Sequence, residues 1–338
     1  MALVLIPALG WANAAQPGLR MAGGMGGFTL LFPEDSASYQ IIQMQEEQVS
    51  IQLYPGFAVV KGSYWMQNTT PDTLNMRTGY PVNAHFSTTR NSSELAEIYF
   101  DELYKLKVLI NGEPVTFEKK AFEADDPNIH FYAHDQPPAW YIWTMAFPPG
   151  ITLIEVYFIV NTNESTVSEG YNRENPNGFI YVLETGSSWK PPIGKGFVSV
   201  QLMDGLSVDK IKGVSPDSIF KYSTAPDFLF YQFSNLVPDH EDNLVITYGN
   251  KLPDFNFEQI IAQAETYFSR VDGFAYLSED PNGELIVFPS PFDVSGGGNF
   301  MVGVIMFVAL YGLPILGTLF LILFVLWFIR RRKNKKKG

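Results

Sequence analysis

The sequence predicts a mainly β protein: one or more antiparallel β-sandwich domains carrying one amphipathic helix, followed by a single C-terminal transmembrane helix. Three observations predict it. Short apolar and aromatic runs are punctuated by Pro, Gly, Asn and Asp, thirty residues from Phe300 to Ile329 carry no charge, and a basic cluster follows them directly.

The β signal comes in order along the chain. Val49-Ser-Ile-Gln-Leu53 alternates strictly, and Ala58 to Gln67 continues as a longer strand before an Asn68-Thr-Thr-Pro-Asp turn. Lys105 to Ile110 and Glu113 to Phe117 flank Asn111-Gly112, a pair that supplies the positive φ angles of a tight hairpin. Trp140 to Phe147 and Ile151 to Val160 flank Pro148-Pro149-Gly150, which reads as two strands joined by a turn. Further strands are expected at Phe179 to Leu183, Gly196 to Leu202, Phe228 to Phe233 and Asn243 to Tyr248. Phe257, Ile260, Ile261, Ala264 and Phe268 fall at helical spacing, with Asn256 as N-cap and Gly273 as stop. A hairpin, Phe274 to Leu277 and Glu284 to Phe288 around Asn282-Gly283, is expected after the helix.

Length and composition suit this organisation. The 338 residues suffice for about two domains, and 46% hydrophobic with 15% aromatic residues is ample for packed cores. There is no cysteine, which excludes disulfides, Cys metal sites and Cys nucleophiles. The expected divisions are a signal peptide at 1–14, β-sandwich domains at 15–125 and 126–250, and a helix with a hairpin packed on the body at 251–289. A linker at 290–299, a transmembrane helix at 300–329 and a basic cytoplasmic tail at 330–338 complete them.

The uncharged stretch would be roughly 45 Å long as a helix, enough for one tilted or kinked passage of a hydrocarbon core roughly 30 Å thick. Its anchor residues run from Phe300 to Ile329: Pro314 removes a helical hydrogen bond and Trp327 sits where an interfacial aromatic belt is expected. The cluster Arg330, Arg331, Arg332, Lys333, Lys335, Lys336 and Lys337 places that end in the cytoplasm by the positive-inside rule, so the body is expected outside, at a bacterial inner membrane. These are seven of the 23 Lys and Arg; without them the chain has 16 basic against 35 acidic groups, a net of −19, which disfavours nucleic-acid binding. At the other end Leu3 to Leu9 is apolar and Ala12-Asn13-Ala14 has the small-x-small pattern of signal-peptide cleavage, although no Lys or Arg precedes the apolar run. Two other readings of the ends stay open: a buried N-terminal strand, and a C-terminal sorting signal processed near Gly296-Gly297-Gly298.

Tyr181-x-Leu183-x-Thr185-Gly186-x-x-Trp189 with Ile193-Gly194 resembles a segment of bacterial exported β-domain families of unknown function. Glu47-x-Val49-x-Ile51 and Val60-x-Gly62-x-Tyr64-x-Met66-x-Asn68-x-Thr70 are similar to their opening strands. The resemblance covers most of the body and implies an exported β architecture. Those families have no assigned activity, so it implies no catalytic residue.

Each chemical motif has a plainer alternative. Ser187-x-x-Lys190 matches the nucleophile pair of penicillin-recognising enzymes, but its partner motifs are missing and Pro191-Pro192 argues against the helix it needs. Gly194-Lys195-Gly196 lacks the Ser or Thr and the earlier Gly of a phosphate-binding loop. His130 and His134, with Asp125 and Asp126 nearby, are the candidate metal ligands; calcium is the candidate ion for the acidic pair, and solvated turns are the alternative. Trp140, Trp143 and Trp189 are candidate glycan-stacking aromatics, while the alternation of Trp140 and Ile142 against Tyr141 and Trp143 fits core packing on one face. Asn68-Thr-Thr, Asn91-Ser-Ser and Asn163-Glu-Ser match the glycosylation acceptor pattern. With no catalytic constellation and no required cofactor, the expected function is a non-enzymatic scaffold or accessory subunit. Its expected partners are the lipid bilayer and envelope proteins. Glycan binding and a hydrolase assembled from distant residues are the alternatives.

Overall fold

The computed structural model describes residues 14, 18–20, 28–30, 32–82, 84–91, 94–100, 102–121, 139–169, 172–174, 176–216, 219–224, 227–277, 282–291 and 305–335. It separates into two units, Met1–Asp293 and Val294–Gly338.

The first unit opens with β1 (Gly18–Arg20), β2 (Phe28–Leu30), the short helix α1 (Ser36–Tyr39), β3 (Gln43–Tyr54), β4 (Phe57–Asn68) and β5 (Leu74–Pro81). It continues with β6 (Ala84–Asn91), β7 (Glu94–Phe100), β8 (Leu103–Ile110), β9 (Glu113–Pro114), β10 (Glu118–Ala121), β11 (Ala139–Phe147) and β12 (Gly150–Val160). Then follow β13 (Thr166–Glu169), β14 (Asn172–Glu174), β15 (Asn177–Tyr181), β16 (Ile193–Leu202), β17 (Ile211–Ser215), β18 (Lys221–Thr224), β19 (Asp227–Leu236) and β20 (Leu244–Tyr248). Helices α2 (Phe257–Ile261) and α3 (Ala264–Leu277) and the edge strand β21 (Glu284–Leu285) end it.

Nine strands form the main sheet in the order β21-β18-β19-β16-β3-β4-β12-β8-β9. Its centre is the β3–β4 hairpin, in which Val49, Ile51, Val60 and Tyr64 are fully buried. Burying each such aliphatic side chain contributes about 1.5–3 kcal/mol. Both outer edges of that hairpin need ladder partners, and the chain supplies β12 to β4 and β16 to β3. The expected separation into domains at 15–125 and 126–250 is corrected by this sheet, because its strands come from both ranges. Among the described strands the antiparallel expectation holds apart from one pair: β16 returns beside β3 in parallel, after an excursion through other sheets.

Three-stranded sheets β10-β11-β5 and β15-β20-β17 share one continuous apolar core with the main sheet, as a sandwich requires. Strands β11 and β12 are not a hairpin. Pro148 and Pro149 carry the chain from one sheet to the other, as residues 69–73 do between β4 and β5. Asn68 fixes both crossings, since its buried amide donates to the carbonyls of Asp72 and Phe147, each at 2.8 Å. The Asn111-Gly112 turn has the expected positive φ at both residues, 50° and 84°, between β8 and β9.

On the opposite face of the main sheet, Tyr54, Phe57, Val59, Tyr157 and Ile159 pack against Ala264, Tyr267, Phe268 and Val271 of α3. Asn256 caps α2 by accepting from the Gln259 N–H, as expected. The helical region then breaks at residues 262–263 and runs past Gly273 to Leu277, so the expected first strand of the following hairpin is helix. Phe274 explains the correction. It lies three residues beyond Val271 on the same stripe and packs on Phe228 and Phe230, which outweighs the roughly 1 kcal/mol that an interior glycine costs. Glu284 and Leu285 pair with β18 instead.

In the second unit, residues 305–307 are α-helical and Val308–Gly312 form a π-helical turn, followed by α4 (Leu313–Lys335). Pro314 has no N–H to continue the ladder, and the π turn lies just ahead of it. The stretch Ile305–Ile329 is long and apolar enough to cross a membrane, and none of it is buried.

Candidate functional site

The residues quoted for the family resemblance converge on a sealed polar cluster inside the first unit. Glu47 stands on the apolar face of β3, in alternation with Val49 and Ile51, and is fully buried. Its ladder neighbours are Tyr64 on β4 and Gly196 on β16. Tyr181, reaching across from β15, donates its hydroxyl to Glu47 Oε1 at 2.9 Å. Because that proton is committed, the 2.9 Å contact between the Tyr64 and Tyr181 hydroxyls has Tyr64 as donor. Tyr80 of β5 completes the cluster.

One glycine makes room for it, and a second lies beside it. A Cβ on Gly62 would collide with the Tyr64 hydroxyl, and one on Gly196 with the Phe233 ring. The Gly194-Lys195-Gly196 pattern thus has a packing cause, with Gly194 against the Gln45 backbone and Lys195 paired to Glu46 at 2.9 Å.

Burial pushes the phenols of Tyr64, Tyr80 and Tyr181 above their usual range, and the nearby Glu47 carboxylate adds to the effect. They therefore remain protonated and able to donate. Chemically, the arrangement is a buried carboxylate that accepts from the Tyr181 hydroxyl, which in turn accepts from Tyr64. With all four side chains buried, it ties three sheets together, the main sheet through Glu47 and Tyr64 and the two three-stranded sheets through Tyr181 and Tyr80, away from bulk solvent.

The loop from Leu183 to Ser188 is a buried 3₁₀ turn, in which Asn243 accepts from the Glu184 N–H and the Ser187 hydroxyl donates to the Glu184 carbonyl at 2.6 Å. Trp189 ends it under Tyr39, with ring centroids 4.4 Å apart, and its indole N–H donates to the carbonyl of Ala14. The three candidate glycan-stacking aromatics, Trp140, Trp143 and Trp189, are 2, 3 and 0% exposed and so belong to the packed interior. That corrects their expected role as a surface platform: the alternation that set two of them on opposite faces of β11 met cover on both sides.

Among the other expected residues, Asp125, Asp126, His130, His134, Phe300, Lys336 and Lys337 lie outside the described residues, as do nearly all of the segment expected to be a signal peptide and most of the expected linker. Pro314, Trp327, Ile329, Arg330, Arg331, Arg332, Lys333 and Lys335 all lie on α4, which carries the basic cluster on without a break. Among the described residues no group of three His, Asp or Glu could hold a metal ion. At Asp239 to Asp242 the carboxylates of Asp239 and Asp242 accept from backbone N–H groups of the same turn. Asn68 is buried and fully hydrogen-bonded, which removes it as a glycosylation acceptor.

One open cleft of about 510 Å³ lies on the three-stranded sheet of β5, β10 and β11, lined by Phe32, Arg77, Phe117, Glu118, Lys120 and Ile142 among others. The Arg77 guanidinium stacks on Phe32 at 3.9 Å and pairs with Asp35 at 2.8 Å. Asp35 also accepts from the Arg77 backbone N–H, and the Tyr39 hydroxyl donates to the Arg77 carbonyl, so side chains of the α1 region close the outer edge of β5.

Sequence reasoning missed Tyr80 and the Glu47 linkage. The available signal was an acid on the apolar face of an alternating strand.

No family model and no curated protein matches the chain. Among solved structures, a candidate nutrient-binding protein from Legionella pneumophila is similar over 70% of this chain and 72% of its own, at 15% identity and a TM-score of 0.41. Yeast LTA4 hydrolase is similar over 69% of this chain at 10% identity and a TM-score of 0.31, and the match spans 34% of that enzyme. A mutant two-domain M1 zinc metallopeptidase bound to tryptophan is similar over 61% of this chain and 42% of its own, at 10% identity and a TM-score of 0.30.

Proposed function

We propose that this chain is a single-pass protein of a bacterial inner membrane, related to exported β domains, with its body outside the cytoplasm and its C-terminus inside. It works as a non-enzymatic scaffold or accessory subunit through contacts with envelope proteins. The observation that carries this reading is the helix Ile305–Ile329, apolar on every side and running straight into Arg330, Arg331, Arg332 and Lys333. Such a helix belongs in lipid, and its basic end resists transfer across the membrane. The buried carboxylate and phenols add to the argument, since they are spent on holding the sheets together.

The test is purification of the full chain from gently solubilised membranes. The reading expects envelope proteins to accompany it at a fixed ratio. A chain that purifies alone and turns over a substrate would overturn it.

A second reading, binding of a glycan or envelope polymer, is favoured only by the cleft with Phe32 and Phe117, and not at the tryptophans first expected. Phe117→Ala should then abolish retention on immobilised envelope polymer.

A further inference from the structure

Ala14, the first described residue of the body, sits inside the core. It is fully buried in the apolar cluster that holds Tyr39, Ile42, Phe147 and Trp189. Its carbonyl accepts from the Trp189 indole N–H. That indole is itself fully buried, tilted against the Tyr39 ring at 4.4 Å and edge-on to Phe147 at 5.7 Å between centroids. The backbone beside it is pinned as well, since the Lys190 N–H donates to the carbonyls of Tyr39 and Ile42 at 3.1 and 2.9 Å. Held in this way, the ring is not free to turn its N–H toward water.

Ala12-Asn13-Ala14 carries the small-x-small pattern, which predicts a cut after Ala14 and a mature chain beginning at Ala15. Such a cut, made on the unfolded chain as it crosses a membrane, would discard Ala14 before the body closes. An indole has a single N–H and accepts nothing, so Trp189 would then fold into its slot with a buried donor unmet. A buried polar group without a partner carries the full cost of its lost hydration. The space of the missing residue would add a cavity beside the ring. Neither cost arises when the chain keeps Ala14.

We propose that Ala14 is a lasting part of the folded body, the acceptor that completes the Trp189 site, and that the bond after it is not a processing site. Any cut in this region falls ahead of Ala14. A small residue at this position then answers to the core, since full burial penalises a longer side chain there while the carbonyl does the bonding. The inference deepens the exported reading proposed above and rests on it only for the encounter with a peptidase. The bond from Trp189 is the same in either compartment.

The test uses the full chain, which has no native cysteine. Ala14→Cys keeps a small residue and the small-x-small pattern, and the protein is purified from bacterial membranes in mild detergent. The expected result is one thiol per chain, in a protein whose intact mass includes residue 14. A maleimide should label it at least about tenfold more slowly than an Ile151→Cys control, at a side chain 51% exposed, until denaturant is added. Trp189→Phe in the Ala14→Cys chain keeps an aromatic ring but removes the donor, and should raise native labelling severalfold. A mature chain that begins at Ala15 and carries no thiol, or a thiol labelled natively as fast as the control, would overturn the proposal. So would a labelling rate untouched by Trp189→Phe, because the indole would then not be what holds Ala14. A missing thiol in a body open to protease on spheroplasts would reject retention alone. A body protected there would reject export and leave the thiol result standing.

Discussion

The same residue types behave oppositely in the two units. In the body Phe147 and Val200 are fully buried, while in the C-terminal helix Phe320 and Leu321 are 73 and 65% exposed. In the body, apolar residues alternate with polar ones and find a facing layer, so water is the solvent they avoid. Along Ile305–Ile329 the helix is apolar all round and its described side chains are exposed, so the solvent that its length and composition suit is lipid. Hydrophobicity alone does not separate the two cases; its period does.

The largest expected effects sharpen that contrast. Val200→Asp buries an unpaired charge between the sheets and should unfold the body, a loss of more than about 4 kcal/mol read by chemical denaturation. Leu321→Asp should leave the melting of the body unchanged and instead weaken membrane insertion, by about 2.5–3.5 kcal/mol on an insertion scale. A body destabilised by the second change would mean that the helix packs on it.

Next in size is the polar cluster. Tyr181→Phe deprives Glu47 of its donor and breaks the chain to Tyr64, so a loss of about 1–3 kcal/mol is expected. An unchanged midpoint would remove the cluster from the account of stability.

The cluster also sets an alkaline limit. Burial raises the phenols of Tyr64, Tyr80 and Tyr181, so below the ordinary phenol value of about 10 both folded and unfolded states keep these protons and the contribution is complete. Above it the unfolded chain releases them while the folded one holds them, and stability falls as pH rises. Denaturation midpoints should drop steeply above about pH 10, and less so in Tyr64→Phe. Identical slopes in the two proteins would contradict the assignment.

The smallest effect belongs to the hairpin at Asn111-Gly112. Gly112→Val forces a branched residue to a φ of 84° and should cost on the order of 1 kcal/mol.

How much was legible follows from these residues. Strand positions could be read because alternation is local: Val49 to Leu53 and the Asn111-Gly112 turn need only their neighbours. The amphipathic helix could be read at its cap, but its end could not, because Phe228 and Phe230, which hold Phe274 beyond Gly273, lie far away in sequence. The single main sheet was hidden for the same reason, since β16 meets β3 across more than a hundred residues. The site was half visible. Glu47, Tyr64 and Tyr181 were already singled out as a pattern, but their meeting in space needed the fold, and the indoles that looked like a ligand platform had cover that alternation could not reveal.

The central claim is orientation, and protease added to spheroplasts carrying the full chain tests it most directly. With the body outside and the basic cluster inside, digestion should remove nearly everything before the span and leave a small membrane-bound fragment ending at Gly338. A body that stays intact until the membrane is opened would place it in the cytoplasm and contradict the account.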